Sequence, residues 1–130
     1  MQPITVLIID DDEDDRFFME RALKTDSPAT QLYLAPDGQQ ALNLLDSAQL
    51  LPDVVILDLN MPGLNGFEVL ERLKQSAQHR HIPVMILTTS NSSDDQERCR
   101  QLGATEFITK PTTYDGLSDV ARRIRLSLPL

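Results

Sequence analysis

The sequence contains little cysteine, few aromatic residues and no long hydrophobic run. Cys99 is the single cysteine, and tryptophan is missing from the 130 residues. A lone cysteine cannot form an internal disulfide, which fits a reducing compartment, so we expect a cytoplasmic protein. No apolar stretch approaches the ~18 residues that a membrane helix needs. Residues 1–4 show no basic segment ahead of an apolar one, so we expect no signal peptide.

Positive charge is also scarce. Twelve basic residues stand against twenty acidic ones, which gives a net charge of −8. A surface of this sign repels nucleic acid and anionic lipid, so we expect neither nucleic acid nor membrane as a partner. Residues 10–15 form an unbroken run of six acids directly after an apolar segment. Acidic runs are usually solvated faces, but this one begins where a strand is predicted to end.

Short apolar runs alternate with amphipathic stretches along a chain that has the length of one domain, residues 1–130. Three β-branched runs are typical of strands buried on both faces. Residues 31–35 predict a weaker edge strand, and residues 106–109 predict a fifth strand. The three buried runs cover residues 4–9, 54–57 and 84–87.

The segments between these runs carry apolar residues at helical spacing. The predicted helices cover residues 14–24, 39–48, 65–75, 93–102 and 117–128. In the first of them we expect Phe18 and Ala22 to face the core, and Asp12 or Asp14 to cap the helix.

Two of the predicted helices begin with a capping-box pattern. Asn65 with Glu68, and Ser93 with Gln96, have the residue types and the spacing of such a box. The helix over residues 93–102 has few large apolar residues, so we expect it to be weakly attached.

Alternation of buried strands with helices predicts an α/β fold with a parallel sheet covered on both faces. Right-handed crossovers leave few topologies, and we expect the doubly wound (βα)5 order 2-1-3-4-5, which is flavodoxin-like. Ligands in such sheets bind at the carboxyl ends of the strands, where the strand order reverses. In this order the site lies between the first and third strands.

Polar residues follow four of the predicted strands at that edge. Asp10 and Asp11 follow the first strand, Asp58 the third, Thr88 the fourth and Lys110 the fifth. Three carboxylates that meet there repel one another and raise each other's pKa, and a magnesium ion relieves this. A carboxylate nucleophile beside a cation, a hydroxyl and an ammonium suits phosphoryl chemistry.

Each of these residues also has an ordinary structural interpretation. An Asp before a loop is common, a Thr such as Thr88 often bonds to local backbone, and a Lys such as Lys110 is often a surface charge. Their joint appearance at four strand ends favours the functional interpretation.

The pattern resembles the receiver domains of response regulators over essentially the whole chain. The segment from Asp58 to Gly66 is the most specific, because it combines a strand end, a Met-Pro turn, a glycine and a helix start. The matching segments are residues 8–11, 57–66, 87–89 and 109–111.

The resemblance implies a role for each matching residue. Asp58 resembles the phosphoacceptor, Asp11 a direct magnesium ligand and Asp10 a partner that acts mostly through water. Asn60 matches the position whose backbone carbonyl ligates the metal. Thr88 matches the switch hydroxyl.

Three further implications concern the fifth strand and the two residues that follow it. Lys110 matches the lysine that contacts the phosphoryl group, and the Lys110–Pro111 peptide bond is expected to be cis. Phe107 stands at the switch aromatic position.

The resemblance also implies a function. We expect a stand-alone response regulator that accepts a phosphoryl group from a sensor histidine kinase or phosphotransfer protein. It would signal to a downstream protein target rather than act as an enzyme. The oligomeric state stays open, and a homodimer through the fourth and fifth helices, with residues 126–130 contributing, is one alternative.

The sequence departs from the usual family pattern near the site. Thr89 stands where a small residue such as Ala is usual, Ser90 follows it, and Thr112 and Thr113 replace an aromatic residue after Pro111. These departures leave the chemistry intact and affect the signalling surface and the phosphoryl lifetime.

Competing functions fit the residues less well. A haloacid-dehalogenase-type phosphatase needs a second Asp where Asn60 stands. A calcium loop that starts at Asp10 would need Gly at Asp15 and Glu at Arg21. Flavin phosphate would be repelled by the acidic run. A pseudo-receiver that acts only in protein interaction is the remaining alternative, and labelling by a phosphodonor distinguishes it.

Overall fold

The computed structural model describes residues 3–47 and 50–128 and forms one five-stranded sheet flanked by helices. All of the strand pairs are parallel, in the order β2-β1-β3-β4-β5, as predicted. The end of the second predicted helix, at Ala48, and residues 129–130 lie outside the described residues. The elements are β1 (Thr5–Ile9), α1 (Glu13–Asp26), β2 (Gln31–Ala35), α2 (Gly38–Ser47), β3 (Val54–Leu57), α3 (Gly66–Gln75), β4 (Val84–Thr88), α4 (Ser93–Gln101), β5 (Glu106–Thr109) and α5 (Tyr114–Ser127).

The strand burial follows the apolar patterns of the sequence. Every residue of β3 and β4 is buried, and so is β1 after Thr5. Strands β2 and β5 lie at the two edges and expose part of their length, which confirms the prediction of an edge strand at residues 31–35. Continuous apolar runs occur only where helices cover both faces of the sheet.

Successive side chains of each strand point to opposite faces and so enter two separate cores. Leu7 and Ile9 of β1 pack into the core that includes residues of α2 and α3. Ile8 packs into the other core, together with Met19 of α1 and Ile124 of α5. Helices α1 and α5 therefore share one face of the sheet.

Helix α1 presents a different face to the core from the one that we expected. Its buried residues are Met19, Ala22 and Leu23, whereas Phe17 and Phe18 are 53% and 43% exposed and contact each other edge to face. The prediction that Phe18 faces the core is therefore wrong. Met19 and Leu23 are one turn apart, and the buried stripe that they define lies about 100° around the helix from Phe18.

The helix starts agree with the sequence in two cases out of three. Asn65 and Glu68 form the predicted capping box, and Asp12 caps α1 by accepting the amide N–H of Asp15. For α4 the prediction that Ser93 is the N-cap is wrong. Ser92 has the extended backbone of an N-cap, and its side chain accepts the amide N–H of Asp95. Ser93 is already the first helical residue.

Helix α4 buries a single side chain, that of Cys99. Burial raises the pKa of the Cys99 thiol to about 11, with the charge of Asp95 as a smaller cause. The Arg98 guanidinium lies 4.0 Å from the ring centroid of Phe67, which ties α4 to α3 across the surface. Among the helices that the structure describes, none is long and apolar enough to cross a membrane.

Gly66 fixes the position of the loop that carries Asp58. A Cβ at Gly66 would lie 2.3 Å from the carbonyl oxygen of Asp58 and 2.6 Å from the Cα of Leu59. We expect Gly66→Ala to lower the free energy of unfolding by roughly 1–3 kcal/mol, because backbone must move to relieve the overlap. Urea denaturation measures this.

Gly63→Asn is the matched control for that substitution. Gly63 has φ +73°, a conformation that Asn tolerates, and a Cβ there would have no atom of the described residues within 4 Å. We expect Gly63→Asn to lower the free energy of unfolding by about 1 kcal/mol or less. Equal losses at Gly63 and Gly66 would contradict the close approach of Gly66 to Asp58.

Candidate functional site

The pairing of β1 with β3 puts two carboxylates side by side at the edge of the sheet. Ile9 lies opposite Leu57, so Asp10 and Asp58 leave the sheet together, and the amide N–H of Asp58 donates to the carbonyl of Ile9 at 3.0 Å. Both Asp side chains are buried, with Asp10 5% and Asp58 6% exposed. Asp11 is exposed, yet its carboxylate oxygens reach the same point. Ligand oxygens of Asp10, Asp11 and Asp58 lie within 4.8 Å of one another.

A single lysine at the end of β5 reaches this acidic group. The Nζ atom of Lys110 lies 2.9 Å from Oδ2 of Asp10, 3.4 Å from Oδ2 of Asp58 and 2.7 Å from Oδ2 of Asp15. The amide N–H of Lys110 donates to the carbonyl of Thr88 at 2.7 Å, which fixes the start of the side chain. The Lys110 side chain is thus held both at its backbone and at its ammonium group.

Burial, hydrogen bonds and neighbouring charges together shift the pKa values of Asp10 and Lys110. Burial raises the pKa of Asp10 more than hydrogen bonds from Lys110 and the Asp12 amide lower it, and the charge of Asp58 adds a smaller increase. For Lys110, burial acts to lower the pKa, but the hydrogen bonds with Asp15 and Asp10 and the nearby negative charges outweigh it and raise the pKa. The sequence predicted mutual repulsion as the main cause for the acids, whereas for Asp10 desolvation is the larger one.

Thr88 ends β4 with a fully buried side chain. Its Oγ1 accepts the amide N–H of Ser90 at 3.4 Å, so the hydroxyl is engaged with the β4–α4 loop. Ser90 in turn donates its hydroxyl to Asp95 of α4 at 2.7 Å and accepts the amide N–H of Ser92 at 3.2 Å. Thr109 of β5 donates to the Ser90 carbonyl. A short network of hydrogen bonds therefore joins Thr88 to the first turn of α4.

Three other positions were predicted to belong to the site or its surroundings. Asn60 is exposed, two residues after Asp58. Phe107 is half-buried on β5 and packs against the core on the α3 side of the sheet. Thr89 is exposed beside the site.

The Lys110–Pro111 peptide bond is trans, and no cis bond occurs among the described residues. The prediction of a cis bond is therefore wrong. An X–Pro bond prefers trans by about 0.5–1 kcal/mol, and from the trans form Lys110 already reaches its carboxylate partners.

The sequence did not identify two residues that complete the site. Asp15 pairs with Lys110, and the Nη1 atom of Arg16 donates to the carbonyl oxygen of Asp10 at 2.7 Å. The one available signal was the spacing within the acidic run. With Asp12 as the cap, Asp15 lies in the first turn of α1, close to the edge where the strands end.

The residues at the edge fit a hard divalent cation. Three carboxylates offer oxygen ligands within 4.8 Å of one another, and two of them are held rigidly by burial. Oxygen donors of this kind suit Mg²⁺ or Mn²⁺ rather than a thiolate-preferring metal. Because one ammonium faces several carboxylates, a cation would also relieve the excess negative charge.

Comparison with known sequences identifies the family of this chain. The sequence model of the response regulator receiver domain matches residues 6–122. The chain belongs to this family. A two-component response regulator of Arabidopsis thaliana, ARR6, is 35% identical over 133 residues, which cover 97% of this chain and 69% of ARR6. This chain is therefore a receiver domain of the two-component type.

Solved structures give the same result for the fold. The phosphorylated cyanobacterial phytochrome response regulator RcpA superposes with a TM-score of 0.89 at 28% identity, over 99% of this chain and 100% of RcpA. The Mn²⁺-bound form of the response regulator Rcp1 gives 0.87 at 29% identity, over 98% of this chain and 100% of Rcp1. The predicted flavodoxin-like fold of a receiver domain is confirmed.

Some relatives are much longer than this chain. A probable cyclic di-GMP phosphodiesterase of Vibrio cholerae is 35% identical over 109 residues, which cover 84% of this chain but 24% of that protein. The receiver domain thus also occurs as one part of larger proteins.

Asp11 offers a direct test of the acidic cluster, because it forms no ion pair with any residue that the structure describes. We expect Asp11→Asn to stabilise the metal-free protein by about 1 kcal/mol, the Coulomb energy of two unit charges near 4 Å in water. We also expect it to lose most of the rise in melting temperature that Mg²⁺ gives the unsubstituted protein. Thermal unfolding with Mg²⁺ and with a chelator measures both effects.

Asp14→Asn is the control, since Asp14 is an exposed acid of the same run outside the cluster. Its response to Mg²⁺ should equal that of the unsubstituted protein. If Asp11→Asn responded to Mg²⁺ as fully as the control, the cluster would not be the cation site.

Proposed function

We propose that the chain is a stand-alone response regulator that takes a phosphoryl group onto Asp58 from a histidine kinase or a phosphotransfer protein. The observation that carries this is the buried Asp58 carboxylate, grouped with Asp10 and Asp11 and 3.4 Å from the Lys110 ammonium. A carboxylate nucleophile, oxygen ligands and a fixed cation are the parts that phosphoryl transfer needs.

Residues of the chain would share the steps of the transfer. An Oδ atom of Asp58 attacks phosphorus in line, the phosphorus–nitrogen bond of the donor phosphohistidine breaks, and the imidazole keeps the electron pair. Lys110 contacts an equatorial phosphoryl oxygen, and Thr88 donates its hydroxyl to another. Water then hydrolyses the acyl phosphate and restores the Asp58 carboxylate.

Asp10, Asp11, Asp58 and the backbone carbonyl of Asn60 would hold the Mg²⁺. When bound, Mg²⁺ supplies positive charge that offsets the negative charge of the phosphoryl oxygens. The oxygen ligands of the three carboxylates support this assignment, since they lie within 4.8 Å of one another.

Signalling would follow from the move of Thr88 toward the phosphoryl group. Its hydroxyl now accepts the Ser90 amide, so the move disturbs the hydrogen bonds that run from Ser90 to Asp95 of α4. Phe107 would turn inward behind it and repack the face of α4, β5 and α5. Helix α4 buries one side chain, so a coupling on the order of 1–3 kcal/mol suffices to move it.

Stand-alone action and cytoplasmic location belong to the same proposal. RcpA and Rcp1 are matched over their whole length, which supports a receiver that passes its signal to a separate downstream protein. The single thiol of Cys99 fits a reducing cytoplasm. A homodimer through α4 and α5 is a further part of the proposal, and residues 129–130 of its predicted tail lie outside the described residues.

A pseudo-receiver that only binds proteins is the second candidate, and no observation favours it. Such a protein would have no need for Asp10 and Asp11 beside Asp58 and Lys110. Repulsion among these carboxylates lowers stability, and a protein that is not phosphorylated would gain no function from it. The intact group of side chains supports a domain that is phosphorylated.

Labelling tests the role of Asp58. We expect the unsubstituted protein to incorporate label from acetyl phosphate with Mg²⁺, and Asp58→Asn to incorporate none, because an amide is not a nucleophile at phosphorus. Asp46→Asn, an exposed acid on α2, should label normally. Full labelling of Asp58→Asn would remove Asp58 from the role, and no labelling of the unsubstituted protein would favour the pseudo-receiver.

Phe107 tests the proposed switch against a purely structural role. We expect Phe107→Ala to bind the phosphoryl mimic beryllofluoride but to lose the change in hydrogen exchange that the mimic causes in α4. Exposed Phe17→Ala should keep that change. If Phe107→Ala lowered stability yet left the exchange response of α4 intact, Phe107 would be a core residue only.

A further inference from the structure

Lys110 divides its ammonium among three carboxylates, and the shortest contact is not with the cluster. The distance from Nζ to Asp15 is 2.7 Å, against 3.4 Å to Asp58. Asp15 comes from α1 rather than from a strand end, and its side chain is 42% exposed, whereas that of Lys110 is 12% exposed. Within the described chain, Asp15 is thus the partner of Lys110 that lies outside the Asp10, Asp11 and Asp58 group.

We propose that Asp15 is a positioning residue for phosphoryl transfer, which holds the Lys110 ammonium toward α1 and competes with the phosphoryl group for it. The inference rests on the proposed function and adds a residue to it. The inference rests on two distances from Lys110 Nζ. The distance to Asp15 is 2.7 Å and the distance to Asp58 is 3.4 Å.

The competition follows from the hydrogen-bonding capacity of an ammonium. Lys110 Nζ has three N–H donors, and oxygens of Asp10, Asp15 and Asp58 lie within 3.4 Å. The donor that faces Asp58 would pass to a phosphoryl oxygen there. Because Nζ now lies 3.4 Å from Asp58, it must move toward Asp58 to make a full hydrogen bond, and this lengthens its contact with Asp15 or Asp10. Asp10 is buried and accepts the amide N–H of Asp12, which holds its carboxylate in place. Asp15 is half exposed, and water can replace its bond to Lys110 at low cost.

Removal of the Asp15 charge should therefore move Lys110 toward Asp58 rather than release it. Asp10 and Asp58 remain as partners, and the Thr88 carbonyl still holds the backbone of Lys110. The site would then be arranged for the phosphoryl group before that group arrives, which raises affinity. For a half-exposed charge pair the gain is about fivefold.

The test measures the beryllofluoride affinity of the Mg²⁺-loaded protein for Asp15→Asn and for Asp14→Asn. Both variants remove one acidic charge from the same run, but Asp14 makes no contact with Lys110 among the described residues. We expect Asp15→Asn to bind the mimic about fivefold more tightly than Asp14→Asn does. The KM for acetyl phosphate should fall by a similar factor, with the maximal rate little changed. Equal or weaker binding by Asp15→Asn would overturn the proposal.

Two further measurements separate a specific role from a loss of folding or a general charge effect. In a Lys110→Ala background the Asp15→Asn substitution should have no effect beyond that of Asp14→Asn, and a larger effect there would overturn the proposal. The side-chain ammonium signal of Lys110, observed by ¹⁵N NMR without metal or mimic, should shift in Asp15→Asn and not in Asp14→Asn. An unchanged signal would show that Asp15 does not hold Lys110, even in a protein that takes no label.

The same experiments distinguish failure of the inference from failure of the proposed function. If the unsubstituted protein is labelled but Asp15→Asn behaves as Asp14→Asn does, Asp15 has no positioning role and the assignment of Asp58 stands. If the unsubstituted protein takes no label, the proposed function fails, and the NMR signal of Lys110 still decides whether Asp15 holds the ammonium.

Discussion

The ion pairs of one ammonium with several carboxylates are the constraint on which the rest of the site depends. Asp10 and Asp58 are buried because β1 and β3 are central strands, and only Lys110 brings positive charge to them within the described ion pairs. The site therefore has an excess of negative charge that neither burial nor hydrogen bonding removes. A divalent cation would offset this excess, and it would also offset the negative charge that a phosphoryl group brings to Asp58 in the proposed function.

In the proposed function, the fold would convert a change in that local charge into a signal because its parts differ in how firmly they are attached. The carboxylates follow β1 and β3, central strands that are packed on both faces. Helix α4 is held through Cys99, the stacking of Arg98 on Phe67 and the hydrogen bonds of the β4–α4 loop. On the proposed function, a change at this edge of the sheet would be transmitted to α4, the helix that buries one side chain.

Sequence patterns predicted the sheet well, because short, continuous apolar runs such as β3 have few alternative placements. They predicted less well which face of a helix is buried, which residue caps a helix and which distant residues are in contact. Phe18 lies one position from the buried stripe, and Ser92 and Ser93 are equally good caps by type. The bond between Asp15 and Lys110 joins residues 95 positions apart, so no local pattern contains it. The rule that ligands bind at the carboxyl ends of parallel strands predicted that the acids and Lys110 lie close together. It did not predict how Lys110 divides its contacts among the acids.

Chemical trapping gives the most direct test of the central claim, which is that the charge cluster exists to carry a phosphoryl group on one carboxylate. The protein is incubated with acetyl phosphate and Mg²⁺, reduced with borohydride, which converts an aspartyl phosphate to homoserine, and digested for mass spectrometry. We predict that the modification maps to Asp58 and is lost when Mg²⁺ is chelated. Modification at Asp10, Asp11 or Asp15 instead of Asp58, or no modified aspartate at all, would contradict the claim.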